Sequence, residues 1–337
     1  MKNKSRIKQI AVLIIVVLLI AVLIIPPVLK KKKEIVNEPQ PELIKAPEFN
    51  ADSAYSFVKQ QVDFGPRVTN TDGWRKCGDW IVQKLSAYAD TVFVQKAEVI
   101  TADNKKLNIE NYIASFNPSH PKRIILCAHW DTRHISDHDA NPENQKKPIP
   151  GADDGGSGVA VLIEIARVLH QNKIGVGIDL ILFDAEDWGI PDMENSYCLG
   201  SQYWSRKPHT PNYRAIYAIL LDMVGGKNSQ FALEEFSRYY AEGVIRKVWS
   251  AASRGGYSST FVYRETGAIA DDHYYINTIA NIPAIDIIAN TLNTGGGFPS
   301  YWHTQDDDMD VIDPKTLKAV GQTVLAVIYN EQVKSNI

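Results

Sequence analysis

The chain has 337 residues, 45% of them hydrophobic and 22% charged, with a formal net charge of −3. That length supports one large or two ordinary domains with a full core, and the charge leaves no basic excess to argue for nucleic acid. Three cysteines, Cys77, Cys127 and Cys198, are too few for a disulfide framework, and none has zinc-ribbon spacing; one pair could bridge, and sequence alone does not choose it.

Lys2, Lys4, Arg6 and Lys8 precede an uninterrupted apolar run over 10–25, which Pro26, Pro27, Val28 and Leu29 extend up to Lys30. As a helix, 10–29 would be about 30 Å long, enough to cross a bilayer core. The alternative is a cleaved signal peptide, but no A-x-A type site follows and no cysteine is available for lipidation. We therefore expect a basic segment over 1–9, a transmembrane signal-anchor over 10–29 and a linker over 30–48 containing Pro39, Pro41 and Pro47. The lysines at 30–33 balance those before the run, so charge does not set the orientation.

From Phe49 onward, helical and strand periods alternate. Helices are predicted over 53–62 and 74–89, then strands over 91–100, 108–115 and 123–128. A helix over 155–170 carries Val159, Leu162, Ile163 and Ala166 on one face. Strands follow over 178–183, 217–221 and 284–288, and Pro314 precedes a closing helix over 316–330. This order predicts an α/β domain, with a mostly parallel sheet covered by helices on both faces. His129, Asp131, Glu186, Asp187 and Asp222 all sit just past apolar strands. In open α/β sheets ligands bind at the carboxyl ends of strands, so these residues are candidates for one cleft.

The segment GADDGGSG (151–158) opens a helix. Asp153 and Asp154 either turn toward a ligand or cap that helix. Glu186 and Asp187 are adjacent carboxylates, costly unless a cation or proton relieves them. Successive residues of extended chain point to opposite sides, so one can face a metal and the other a substrate. Trp302-His303-Thr304 follows a glycine- and aromatic-rich stretch that reads as a pocket-shaping loop. Asp271-Asp272-His273 by itself reads as a turn. His134 and His138 read as surface loop residues.

Taken in order, HWDTR (129–133), GADDGGSG (151–158), FDAEDWG (183–189), LLDMVG (220–225), DDHYYI (271–276) and WHTQDD (302–307), with FGPR (64–67) and GSQYW (200–204), resemble the zinc aminopeptidase-like superfamily. More narrowly they resemble its glutaminyl cyclases (glutaminyl-peptide cyclotransferases), from about Phe49 to the end of the chain. The resemblance implies a zinc exopeptidase-like fold and one Zn2+ per chain, held by Asp154, Asp187 and His303. Three protein ligands leave one tetrahedral position open, the pattern of catalytic zinc. It implies Glu186 as general acid/base, Asp222 and Asp271 as acidic partners beside it, and Trp302, His129 and Trp188 as substrate-binding residues. The implied partners are peptides and proteins with an N-terminal glutamine, with the catalytic domain in the periplasm on a bacterial inner membrane. Many glutaminyl cyclases carry Glu where this chain has Asp187. His129 and Asp222 stand where two-zinc aminopeptidases hold a second metal, which makes such a peptidase the alternative. Asp271 and Trp302 are the residues that favour the cyclase.

Overall fold

The computed structural model describes residues 44–290 and 297–331. The segments expected to form the basic leader and the membrane anchor lie outside these residues. Among the described residues no helix is long and apolar enough to cross a membrane.

The elements run α1 (Ala51–Asp63), α2 (Asp72–Tyr88), β1 (Thr91–Ile100), β2 (Lys106–Phe116), β3 (Arg123–His129), α3 (Gly156–Gln171), β4 (Gly177–Phe183), α4 (Leu199–Arg206), β5 (Tyr217–Asp222), β6 (Phe231–Leu233), α5 (Glu235–Arg254), β7 (Phe261–Glu265), α6 (Asp272–Thr278), β8 (Ala284–Ile288) and α7 (Pro314–Glu331). Six strands form the main sheet in the order β1-β2-β4-β3-β5-β8. Strands β4, β3, β5 and β8 are mutually parallel, whereas β1 and β2 add an antiparallel edge. The four parallel strands are buried at every residue, as continuous apolar runs require when helices cover both faces.

On one face, Val159, Leu162 and Ile163 of α3 pack with Leu126, Leu180 and Leu221 of the sheet and with Val320 and Val324 of α7. On the other, Trp204 of α4 and Ile276 of α6 cover Ile125, Ile181 and Leu220. Asn50 and Thr71 start α1 and α2 by accepting from the amides of Ser53 and Trp74. Helix α3 lies so close to β5 that a Cβ on Gly158 would stand 2.2 Å from the Leu221 carbonyl oxygen. Gly158→Ala should therefore cost about 1–3 kcal/mol, because backbone must move to make room. Denaturant unfolding measures this, and an unshifted midpoint would contradict the tight contact.

Several elements escaped the periodicity reading. Helix α5 is long but buries only scattered positions, including Val244, Val248 and Trp249; Gly243 lies inside it and the backbone is kinked at Ala241 (φ −142°). Helices α4 and α6 span two turns each, too short for a period to register. Strands β6 and β7 form a separate two-stranded sheet. The Asp271-Asp272-His273 segment is not an isolated turn, because Asp271 is the residue on which α6 starts.

Candidate active site

The carboxyl ends of β3, β4 and β5 deliver His129, the Asp184–Asp187 loop and Asp222 to one side of the sheet. Helix α3 begins at Gly155 (φ 46°), and no side chain caps it, so neither Asp153 nor Asp154 serves as the N-cap. Instead the Asp307 carboxylate accepts from the amides of Asp153 (2.8 Å) and Asp154 (3.1 Å), which leaves the Asp154 side chain free for the cleft. A Cβ at Gly155 would lie 2.8 Å from the His129 ring, in a backbone conformation that favours glycine. After β4 the chain turns at Ala185 (φ 52°). There the Asp131 carboxylate accepts from the amides of Glu186 (3.0 Å) and Asp187 (3.2 Å). Asp307 and Asp131 thus each clip a loop that carries a predicted ligand.

Asp154, Asp187 and His303 come together, one ligand atom from each lying within 4.8 Å of the others. His303 Nε2 is 3.3 Å from Asp187 Oδ1 and 3.7 Å from Asp154 Oδ2. Asp187 Oδ2 is buried without a hydrogen-bond partner. Burial alone would depress His303, but the carboxylates of Asp187, Asp137 and Asp154 overcome it and push the imidazole up to about 9. Two buried carboxylates, one with an orphaned oxygen, and an imidazole form an N/O donor set with surplus negative charge. Such a set fits a divalent zinc.

A second group shares Asp154. His129 Nε2 lies 3.0 Å from Asp154 Oδ1 and 3.3 Å from Asp222 Oδ1. Burial opposes a charge on His129, yet bonds to Asp131, Asp154 and Asp222 hold its pKa well above the ordinary value.

Beside the metal group, the Cys198 thiol donates to Glu186 Oε1 (3.2 Å) and lies 3.9 Å from Asp271 Oδ1. Sequence gave no sign of this role for Cys198. All three cysteines are buried and free. Burial, reinforced by Asp187 and Asp271, raises Glu186 well above the carboxylate range. Burial also pushes Asp222 up to about 7 against the pull of His129, and raises Asp271. Three carboxyls so placed share protons and titrate as a group.

Asp154, Glu186, Asp187, Asp222, Asp271 and His303 line a cleft of about 550 Å³ with apolar walls from Trp302, Phe298 and Ile269. The Trp302 ring stacks on His303 at 3.7 Å, which braces both. Of the three residues assigned to the substrate, Trp302 alone lines this cleft. His129 lies beneath it at 1% exposure. Trp188 stacks on His134 (4.2 Å, 9°) away from the cleft wall, because the chain bends at Asp187. His138, read as a surface loop residue, is exposed but lines the cleft and packs edge-on against Trp302 at 4.4 Å.

The charges give a pH prediction for the zinc-stripped chain. Asp222, at about 7, keeps a proton that the unfolded chain releases near pH 4, and His303, at about 9, keeps one released near 6.5. In both cases the folded state binds the proton more strongly, so stability is greatest at the acid end and falls as pH rises from about 4 to about 9. Melting temperatures of the stripped chain across that window should fall. A rising profile would contradict the placement of these groups.

The model for peptidase family M28 matches residues 111–328. Among solved structures, the glutaminyl cyclase of Bacteroides thetaiotaomicron bound to N-acetylhistamine is 51% identical, with 85% of this chain and 99% of that chain covered and a TM-score of 0.83. A Zn-dependent exopeptidase from Parabacteroides distasonis is also 51% identical, with the same coverage and TM-score. The glutaminyl-peptide cyclotransferase of Drosophila melanogaster is 25% identical over 289 residues, 74% of this chain and 73% of the fly protein.

Proposed function

The chain belongs to peptidase family M28, and from that premise we propose that it is a glutaminyl-peptide cyclotransferase, which closes the N-terminal glutamine of peptides and proteins into pyroglutamate and releases ammonia. The observation that carries this reading is the placement of Asp271 beside Glu186, joined through Cys198, in a cleft walled by Trp302. The solved glutaminyl cyclase at 51% identity supports it.

Asp154, Asp187 and His303 would hold one zinc, which when bound supplies a Lewis acid that polarises a carbonyl. The chain's own groups then account for the proton traffic. Glu186 takes a proton from the substrate's neutral α-amine. That nitrogen forms a bond to the side-chain amide carbon, closing a five-membered ring. The bond from that carbon to the amide nitrogen breaks, and Glu186 returns the proton so that the nitrogen leaves as ammonia. A carboxyl raised by burial suits both halves of this exchange, since its affinity for the proton lies nearer the working pH. Asp222 and Asp271 accept hydrogen bonds from the nitrogen groups and orient them. Trp302 excludes water and so disfavours plain hydrolysis. Ring closure needs no external nucleophile, and its effective molarity is high.

The His129, Asp154 and Asp222 group favours a second reading, a two-zinc aminopeptidase. Against it stand Asp271 beside Glu186 and the Trp302 wall, the two features that favour the cyclase. Ammonia release from a glutamine-initiated peptide, compared with amino-acid release from an aminoacyl dye, separates the two. Ammonia alone is expected; amino acid alone would reverse the assignment.

The same proposal places segment 10–29 in a bacterial inner membrane, with the catalytic domain in the periplasm. It rests on the basic-then-apolar pattern of the segment and on substrate chemistry, since glutamine becomes N-terminal on exported proteins after their leaders are removed. Protease added to spheroplasts should degrade the domain; full protection would refute the placement.

A further inference from the structure

We infer that Arg133 and Asp137 form a clamp that holds two of the three metal ligands, Asp187 and His303, and so sets the metal affinity of the centre. The inference rests on the metal-centre reading above. Arg133 is fully buried. Its Nε and Nη2 donate to Asp137 Oδ1 (2.8 Å) and Oδ2 (2.7 Å), a two-pronged pairing. Its remaining nitrogen, Nη1, donates to Asp187 Oδ1 (3.2 Å), to the Asp187 carbonyl oxygen (3.1 Å) and to that of Gly189 (3.3 Å). Asp137 Oδ1 in turn stands 3.3 Å from His303 Nδ1, at ion-pair distance though off the angle of a hydrogen bond. One continuous line therefore runs from Asp187 through Arg133 and Asp137 to His303.

Each link bears on the metal. With Oδ1 and its own carbonyl held by Arg133, the Asp187 side chain has little freedom to swing, and its Oδ2 is left unpartnered. Asp137 behind His303 favours the tautomer with its proton on Nδ1, which turns the Nε2 lone pair toward Asp154 and Asp187. The charges also close. Asp154, Asp187 and Asp137 bring three negative charges; Arg133 and one divalent cation bring three positive. An Arg133 stripped of Asp137 would keep only Asp187 as a charged partner and would leave Nε and Nη2 buried without their acceptors, which is costly.

The test uses the full-length chain and zinc alone, titrated in competition with a chromophoric chelator. Asp137→Asn, close in shape, and Arg133→Gln should each weaken zinc binding about 10–100-fold, the usual effect of removing a group behind a ligand. The double variant should be no weaker than the weaker single one, since the clamp acts as a unit. Cobalt(II) substituted into Asp137→Asn should show a shifted ligand-field spectrum, which a merely structural role for Asp137 would leave in place. Should Arg133→Gln fail to fold, Asp137→Asn carries the test alone, with its zinc-free melting temperature as the check on folding. Zinc affinity of Asp137→Asn within twofold of wild type would overturn the clamp. If the wild-type chain binds no tight zinc, or Asp154→Asn binds it as well as wild type does, the metal centre itself is wrong and the clamp falls with it.

Discussion

Replacing Glu186 by glutamine should reduce turnover at least about a hundredfold, the scale of lost general acid/base catalysis, while zinc remains bound. The two effects separate because different atoms carry them. The loop that presents Asp187 is held by its own amides on the Asp131 carboxylate, and glutamine at 186 keeps both of those hydrogen bonds. The variant loses only the carboxylate that receives and returns the proton. Loss of a hundredfold corresponds to about 2.7 kcal/mol of transition-state stabilisation. Steady-state ammonia release with a parallel zinc assay makes the measurement. Turnover within tenfold of wild type would remove Glu186 from the proposed role, and loss of zinc would mean that the carboxylate is a ligand.

His303→Ala should lose metal and activity together. Two carboxylates would remain of a three-ligand set, and structural experience with catalytic zinc is that three protein ligands hold the ion. Zinc content should fall well below about one per chain, and the added-zinc stabilisation that wild type shows on melting should vanish. The variant also removes the ring on which Trp302 stacks at 3.7 Å, so some local loosening is expected even without metal. Melting the stripped wild type beside the stripped variant separates that packing loss from the ligand loss. A variant that keeps stoichiometric zinc would show that His303 is not a ligand.

The parallel strands β3, β4, β5 and β8 were legible because burial on both faces writes them as unbroken apolar runs. Helix α5 was not legible, because it buries residues at scattered positions and is kinked at Ala241. At 151–158 the local chemistry allowed either a cap or a ligand. The choice was made by Asp307, far along the chain, which binds the loop amides and releases the Asp154 side chain. Cys198, Asp137 and His138 were invisible as site residues, since nothing in their neighbouring residues announces Glu186, His303 or Trp302 as a partner. The stacking of Trp188 on His134 was hidden for the same reason: adjacency to Asp187 in sequence does not say which way the ring turns.

What the amino-acid sequence determined by itself was the α/β class and the strand ends that bear the carboxylates and histidines; the grouping of Asp154, Asp187 and His303 was what the family resemblance implied. Period and burial act over a few residues, so they can be read locally. What only the tertiary structure decided was which side chains meet: His129 beneath the cleft rather than in it, Cys198 against Glu186, and Arg133 with Asp137 behind two of the predicted ligands. Those contacts join loops from separate strand ends, and their distances depend on how the sheet and its helices pack, which no local pattern records.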